Sequence, residues 1–349
     1  MKLIERRVSP ADSPLAVTTA MVAAAVVAML ITSLLFSLYR ANPLQAYFAL
    51  FHEPFASWRG FGYTLVRTAP LTLIALGTIV SWRSGFGYLG FEGCFVMGAA
   101  ATSWLALNTA LSFWAFLPSA LLLSFAAGAA WAGVVALIRA RFGGNEVLIS
   151  LMMNYVAILM VQYLVSGPMR APGGVPETAL LPRATWLPFI VPGTRAHAGI
   201  LLALLATLLV WVLLRKSRIG YELIVSGLSP AAARFGGINV GARLVFAAFC
   251  AGGLGAWAGM VEVLGEQHRL MDGISGGVGF TGIIVALLAK LNPLAVIPAA
   301  VLYGGMTVGA NAMQRRAGIP SSITFILQSL IVLMVLASDI FRRYRVKLT

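Results

Sequence analysis

Charge is scarce in this chain. Only 10% of its 349 residues are Asp, Glu, Lys or Arg, against about 25% in an average soluble domain. So few charges cannot cover a water-soluble protein of this size, and a chain that is 60% apolar is far from a disordered composition. Histidine and cysteine are scarcer still. His52, His197 and His268 lie far apart and outside any H-E-x-x-H, which argues against a membrane zinc protease. Cys94 and Cys250 sit in apolar segments and share no metal or redox spacing. No G-x-x-x-x-G-K-[ST] occurs, so the chain has no Walker A loop of its own for ATP. Neither a ladder of regularly spaced arginines nor a TVGYG-like filter is present, which removes a voltage sensor and a potassium-type pore. Catalytic, cofactor and metal sites are not expected.

What the chain does have is long apolar runs, and they predict an all-α polytopic membrane protein with about ten segments. These fall near 15–38, 65–82, 86–107, 112–138, 147–166, 198–214, 244–264, 279–290, 293–311 and 319–340. At 1.5 Å per residue the eighth is too short to cross roughly 30 Å of hydrocarbon. A short or broken helix pair is therefore expected near 279–311, packed inside the protein or lining a cavity, because lipid cannot satisfy broken backbone. One transmembrane domain is expected over 1–349. Its basic start, MKLIERRVSPADSP, leads into a 24-residue run too long for a signal-peptide core, so an uncleaved first helix with a cytoplasmic start is expected.

The net charge is +14, from 25 Lys and Arg against 11 Asp and Glu. These basic residues lie between apolar runs, so they report membrane orientation, not nucleic-acid binding. With the N-terminus inside, 16 of the 25 fall on the cytoplasmic side, among them Arg83, Arg139, Arg141, Arg215 and Lys216. Both termini are expected there. Two loops stand out. The external loop 167–197 is rich in proline and glycine and reads as an irregular cap. In the internal loop 215–243, Ser229-Pro230 opens a helical stretch over 231–235 that Gly236-Gly237 stops. Arg234 and Phe235 on it suit docking to a partner, and an ordinary capped loop helix explains the pattern equally well.

Within the segments, Gly85-Phe86-Gly87-Tyr88-Leu89-Gly90 spells the dinucleotide fingerprint but has no βαβ context. Its glycines read as a bend or close helix approach. Glu92 follows directly, and a carboxylate in an apolar segment must be paired or wet; it either holds a helix junction or faces the pathway. Ser150, Asn154 and Gln162 recur at multiples of four and form a slowly winding polar stripe, which either glues helices or lines a route. Asn145-Glu146 reads as a helix cap. Gly255-x-x-x-Gly259 and Gly305-x-x-x-Gly309 have close-packing spacing.

Several stretches resemble the permease subunits of ATP-binding-cassette importers, in the simple-sugar and nucleoside branch. They are Gly143-Gly144-Asn145-Glu146-Val147-Leu148-Ile149 with Met153-Asn154-Tyr155, then Ser166-Gly167-Pro168, then Gly227 to Ile238, then Gly279 to Leu288, with Asn292-Pro293-Leu294 and Gly318-Ile319-Pro320. The resemblance runs from about Thr64 to Ala337. It implies an inner-membrane subunit without catalysis of its own, carrying a nucleoside-like solute or simple sugar inward by alternating access. It implies a cassette ATPase, a second permease, identical or homologous, and an extracytoplasmic solute-binding protein. Ser229, Ala232, Arg234, Phe235 and Gly237 would form the coupling helix to the ATPase, and Glu92, Asn154 and Gln162 are the candidates for the pathway. Where the family reads FNIGxEGQ, this chain has Gly87-Tyr88-Leu89-Gly90-Phe91-Glu92-Gly93-Cys94, so an asparagine is Tyr88 and a glutamine is Cys94. The coupling loop has Ser229 for a usual asparagine. The alternative is a secondary transporter driven by an ion gradient.

Overall fold

The computed structural model describes residues 2–5, 26–27, 29–34, 36, 42–317, 323, 325–326, 329–330, 333 and 344–347. They form two compact units, 1–64 with 302–349 and 65–301. The expected segments near 15–38 and 319–340 lie largely outside the described residues. Apart from a short antiparallel ribbon that pairs Lys2–Glu5 (β1) with Tyr344–Lys347 (β2), the described elements are helical.

Among the described residues six helices are long and apolar enough to cross a membrane, spanning Trp58–Arg83, Phe113–Phe142, Glu146–Ser166, Gly199–Lys216, Val240–Gln267 and Pro293–Arg316. The expectation of about ten is not confirmed. Part of the difference is physical. The third expected segment, 86–107, holds irregular backbone up to Leu89, with a tight turn in which Tyr88 N–H donates to the Phe86 carbonyl at 2.8 Å, and its helix begins only at Phe91.

In the first unit, Asn42 caps α1 (Pro43–Ala56) by accepting from the Leu44 N–H at 3.0 Å, with Pro43 pre-set at the first position. The Gly305/Gly309 spacing is used here. A Cβ on Gly309 would overlap the Leu50 carbonyl, and one on Gly305 would meet the Phe55 ring. Arg316 then pairs with Glu53 at 2.7 Å.

The second unit carries the candidate site. Its helices are α2 (Trp58–Arg83), α3 (Phe91–Asn108), α4 (Phe113–Phe142), α5 (Glu146–Ser166), α6 (Gly199–Lys216), α7 (Arg218–Leu228), α8 (Pro230–Phe235), α9 (Val240–Glu262) and α10 (Val278–Leu288), and α11 (Pro293–Ala317) begins in it. The centre is α9, packed most extensively on α4 and α3. Small residues permit that contact: Gly252 and Gly128 are backbone to backbone, Gly98 lies on Ala256, and Gly259 lies on the Phe95 carbonyl. A π turn, Val263–Gln267, ends α9. The short eighth segment is α10, 11 residues long, and Lys290 and Leu291 in left-handed backbone turn the chain into α11. The expected internal loop 215–243 is mostly helix, because Ser217 caps α7 by accepting from the Gly220 N–H at 3.0 Å.

Candidate functional site: the docking helix, the α5 clamp and the external cap

The candidate docking helix, α8, is capped at its start and stopped at its end. Ser229 Oγ accepts from the Ala232 N–H at 3.3 Å at the start of α8, and Gly237 ends it in left-handed backbone at φ +76°. Ala233 is buried, whereas Ala232 and Arg234 are exposed. Phe235 is 97% exposed and Leu228, just before the helix, 83%. Behind it, Glu222 pairs with Arg218 at 2.9 Å and with Arg243 at 2.7 Å, so α7 is tied to the first turn of α9. The sequence signal for that tie was only the Arg218/Glu222 spacing of four.

The polar stripe of α5 reads the backbone of the glycine-rich segment before α3. Glu146 Oε1 accepts from the Gly87 N–H at 3.3 Å and Ser150 Oγ from the Leu89 N–H at 3.1 Å. Asn154 accepts from the Gly93 N–H at 2.8 Å through Oδ1, and its Nδ2 donates to the Leu89 carbonyl at 3.0 Å. Side chains at 146, 150 and 154 thus satisfy the irregular segment before α3 and an unpaired N–H of its first turn. Glu146 also pairs with Arg139, while Asn145 caps α5 as its sequence position implies.

Glu92 sits next to the clamp and holds a second helix end. Its carboxylate accepts from Ser275 Oγ, the Gly277 N–H at 3.1 Å and the Gly279 N–H at 2.8 Å. These donors stand at the start of α10, where backbone N–H groups lack helical partners and favour negative charge. The buried charge is therefore fully engaged by this short helix. Asn154 and Glu92 meet at one junction. Gln162 does not join them: it is exposed and donates to Asp272 Oδ2 at 3.2 Å.

A third polar group went unread in the sequence, because its members are distant along the chain. Arg67 bridges Glu262 at 3.2 Å and Glu266 at 2.9 Å, and Gln267 donates to Glu262 at 3.2 Å. The loop 167–197 is stitched to the π turn and to the residue after it by backbone bonds, Leu187 to Leu264 at 3.0 Å and Leu181 to His268 at 2.9 Å. Trp186 stacks on His268 at 3.7 Å. His197 packs against Gly265 and accepts from the Gly199 N–H at 3.2 Å through Nδ1. Burial, and then the charge of His268, hold its pKa down at about 4.

With the fold and these constellations in place, comparison with known proteins is decisive. A profile described as the permease component of branched-chain amino acid transport systems matches residues 60–336. The chain belongs to this permease family. Within it, the chain is an ABC permease of the simple-sugar and nucleoside branch. The glucose ABC transporter permease protein of Haloferax volcanii is 34% identical over 316 residues, 87% of this chain and 83% of the relative. The guanosine ABC transporter permease protein of Bacillus subtilis is 32% identical over 303 residues, 85% of this chain and 87% of the relative. A nucleoside ABC transporter permease protein of Lactococcus lactis is 26% identical over 305 residues, 84% of each. The chain is thus a multi-pass membrane permease. Two of its departures from the FNIGxEGQ pattern, those that replace amides, face each other in this permease: the Tyr88 hydroxyl is 3.0 Å from Cys94 Sγ, and it donates to the Gly90 carbonyl at 3.1 Å.

Proposed function

We propose that this chain is the membrane-spanning subunit of an ATP-driven importer, and that α8 is where a cassette ATPase docks. The observation that carries the reading is a capped six-residue helix that presents Phe235 almost fully to solvent, with Leu228, the last residue of α7, exposed just before it. Exposing two large apolar groups beside Arg234 on a braced element costs water contact with nothing gained inside the chain. A partner pocket would recover that area. Coupling also requires ATP-bound and ATP-free states that contact the helix differently, and the brace through Glu222 gives α8 a stiff lever onto α9. The chain lacks an ATP loop of its own, so hydrolysis belongs to the partner.

The solute is a small polar molecule, a nucleoside first and a simple sugar second, in keeping with the glucose and guanosine relatives. A second permease and an extracytoplasmic binding protein complete the proposed assembly, with both termini in the cytoplasm and about ten segments. Glu92 and Asn154 act in it as positioning residues, since their polar atoms are engaged by backbone. Gln162, exposed on α5, is the candidate of the three that is open to a passing solute. The carboxylate of Glu92 is held by three donors at the start of α10, which favours a structural tie over an open site for a driving ion.

The test is a gentle detergent pull-down of the tagged chain, with Phe235→Ala and Arg234→Glu alongside. The expected result is a cassette ATPase recovered with the wild type and lost with both variants while the chain stays monodisperse. Uptake that persists with no ATPase bound, and that collapses with an ionophore while ATP is high, would overturn the reading in favour of the gradient-driven alternative.

A further inference from the structure

An apolar groove of about 290 Å³ opens on the second unit between α2, α4, α6 and α9. Val80, Phe125, Leu209, Leu213, Cys250 and Trp257 line it. Its lining ends close to a group of cations. Leu213 lies two residues from Arg215 and Val80 three from Arg83, about 3 and 4.5 Å along their helices. Arg83 and Arg215 are near enough for their charges to act on each other, and Lys216 follows. Other cations on the neighbouring segments have a carboxylate partner: Arg139 pairs with Glu146, and Arg218 and Arg243 share Glu222. Among the described residues no carboxylate pairs with Arg83, Arg215 or Lys216. Arg83 spends only its Nε–H, on the Leu291 carbonyl at 3.1 Å.

We propose that this groove is a specific site for one anionic phospholipid, with an acyl chain along Val80 to Trp257 and the phosphate against Arg83, Arg215 and Lys216. The two halves of the site match the two halves of such a lipid. An acyl chain fills apolar space open to the bilayer, and a negative headgroup relieves the repulsion between two arginines that have no acidic partner among the described residues. A zwitterionic lipid fits the groove equally well but leaves that repulsion largely in place.

Trp257 provides the readout, since it lines the groove. The full chain is placed in phosphatidylcholine nanodiscs containing a small fraction of either brominated phosphatidylglycerol or brominated phosphatidylcholine. Quenching is assigned to Trp257 by subtraction of a Trp257→Phe sample. The anionic lipid should quench at a concentration lower by about tenfold, and Arg83→Gln with Arg215→Gln should bring the two lipids level. Arg215→Gln alone, at an exposed position, should already reduce the phosphatidylglycerol that survives a detergent wash, read by native mass spectrometry. Equal quenching by both lipids in the wild type would overturn the proposal, leaving a groove wetted by bulk lipid. No quenching by either would overturn it as well, and would mean that protein, such as a second permease, covers the groove.

Discussion

Tyr88 and Cys94 occupy positions where the family pattern has two amides, and their 3.0 Å contact turns two departures into one exchange. Both side chains are fully buried, so reverting one without the other leaves a polar group or a void unmatched. Tyr88→Asn and Cys94→Gln should each lower the melting temperature in detergent. The double variant should recover part of the loss, with a coupling energy of about 1 kcal/mol or more in a double-mutant cycle; additive losses would mean that the pair is not a unit. His197 gives a pH dependence of known sign. Its pKa in the folded chain is about 4, below the ordinary 6.5, and it is only 2% exposed. Its contribution is complete above pH 6.5 and is lost as pH falls towards 4, where the unfolded loop takes up a proton that the folded one refuses. The loss approaches about 3 kcal/mol, and protonation removes the acceptor that Nδ1 offers Gly199. Protection factors in 177–199, corrected for the slower intrinsic exchange at lower pH, should fall between pH 6.5 and 4, and His197→Gln should flatten that fall. Wild-type protection factors that stay constant across this range would refute the assignment.

At the scale of elements, the crossing of α9 over α4 depends on glycine at one place and not at another on the same helix. A Cβ on Gly252 would overlap the Gly128 carbonyl, whereas one on Gly241 would meet only Asn239 Oδ1 at 3.5 Å. Gly252→Ala should therefore destabilise by about 1–3 kcal/mol, while Gly241→Ala should be neutral or stabilise by up to about 1 kcal/mol. Thermal unfolding of the two variants in one detergent checks this, and an equal shift in both would mean that the crossing is looser than the backbone indicates. The sequence exposed some of this and hid the rest for identifiable reasons. Gly255-x-x-x-Gly259 announced a close contact, but Gly252 and Gly98 stand outside that spacing, and only the partner helix makes them necessary. The stripe at 150 and 154 was legible as glue or route; its partners, the Gly87–Gly93 backbone, lie about 60 residues away and carry no side-chain signal. Glu92 was visible as an anomalous charge, yet its donors lie some 180 residues on. Apolar-run reading also passed over α7, whose Ser217 cap and Arg218/Glu222 pair are polar features in a stretch without the length of a membrane span. Short-range chemistry was readable at Ser229, Asn145 and Gly237, where cap and stop lie within a few residues of what they serve.

For the whole molecule, orientation ties the charge pattern to the docking proposal. α5 and α6 rise about 32 and 27 Å, enough to carry the chain across the hydrocarbon and back, so 167–198 lies on the face opposite 143–145 and 217–239. Arg139, Arg141, Arg215, Lys216, Arg218, Arg234 and Arg243 gather on the second face, against Arg170, Arg183 and Arg195 in the opposite loop. The proposed topology follows the positive-inside bias and assigns the richer face to the cytoplasm, where ATP is made and where α8 must be if it meets an ATPase. Single cysteines at Val175 and Phe235, both exposed positions, separate the two faces, and the native Cys94 and Cys250 are buried and half-buried in the helices. A membrane-impermeant maleimide should label Val175→Cys in intact cells, and Phe235→Cys only after permeabilisation. If Phe235→Cys were labelled from outside, the charge bias would have been misread, and α8 would face a compartment without ATP. Docking would then fail for a reason independent of any contact that Phe235 makes. Labelling thus separates a wrong topology from a wrong interface, which a pull-down alone cannot do.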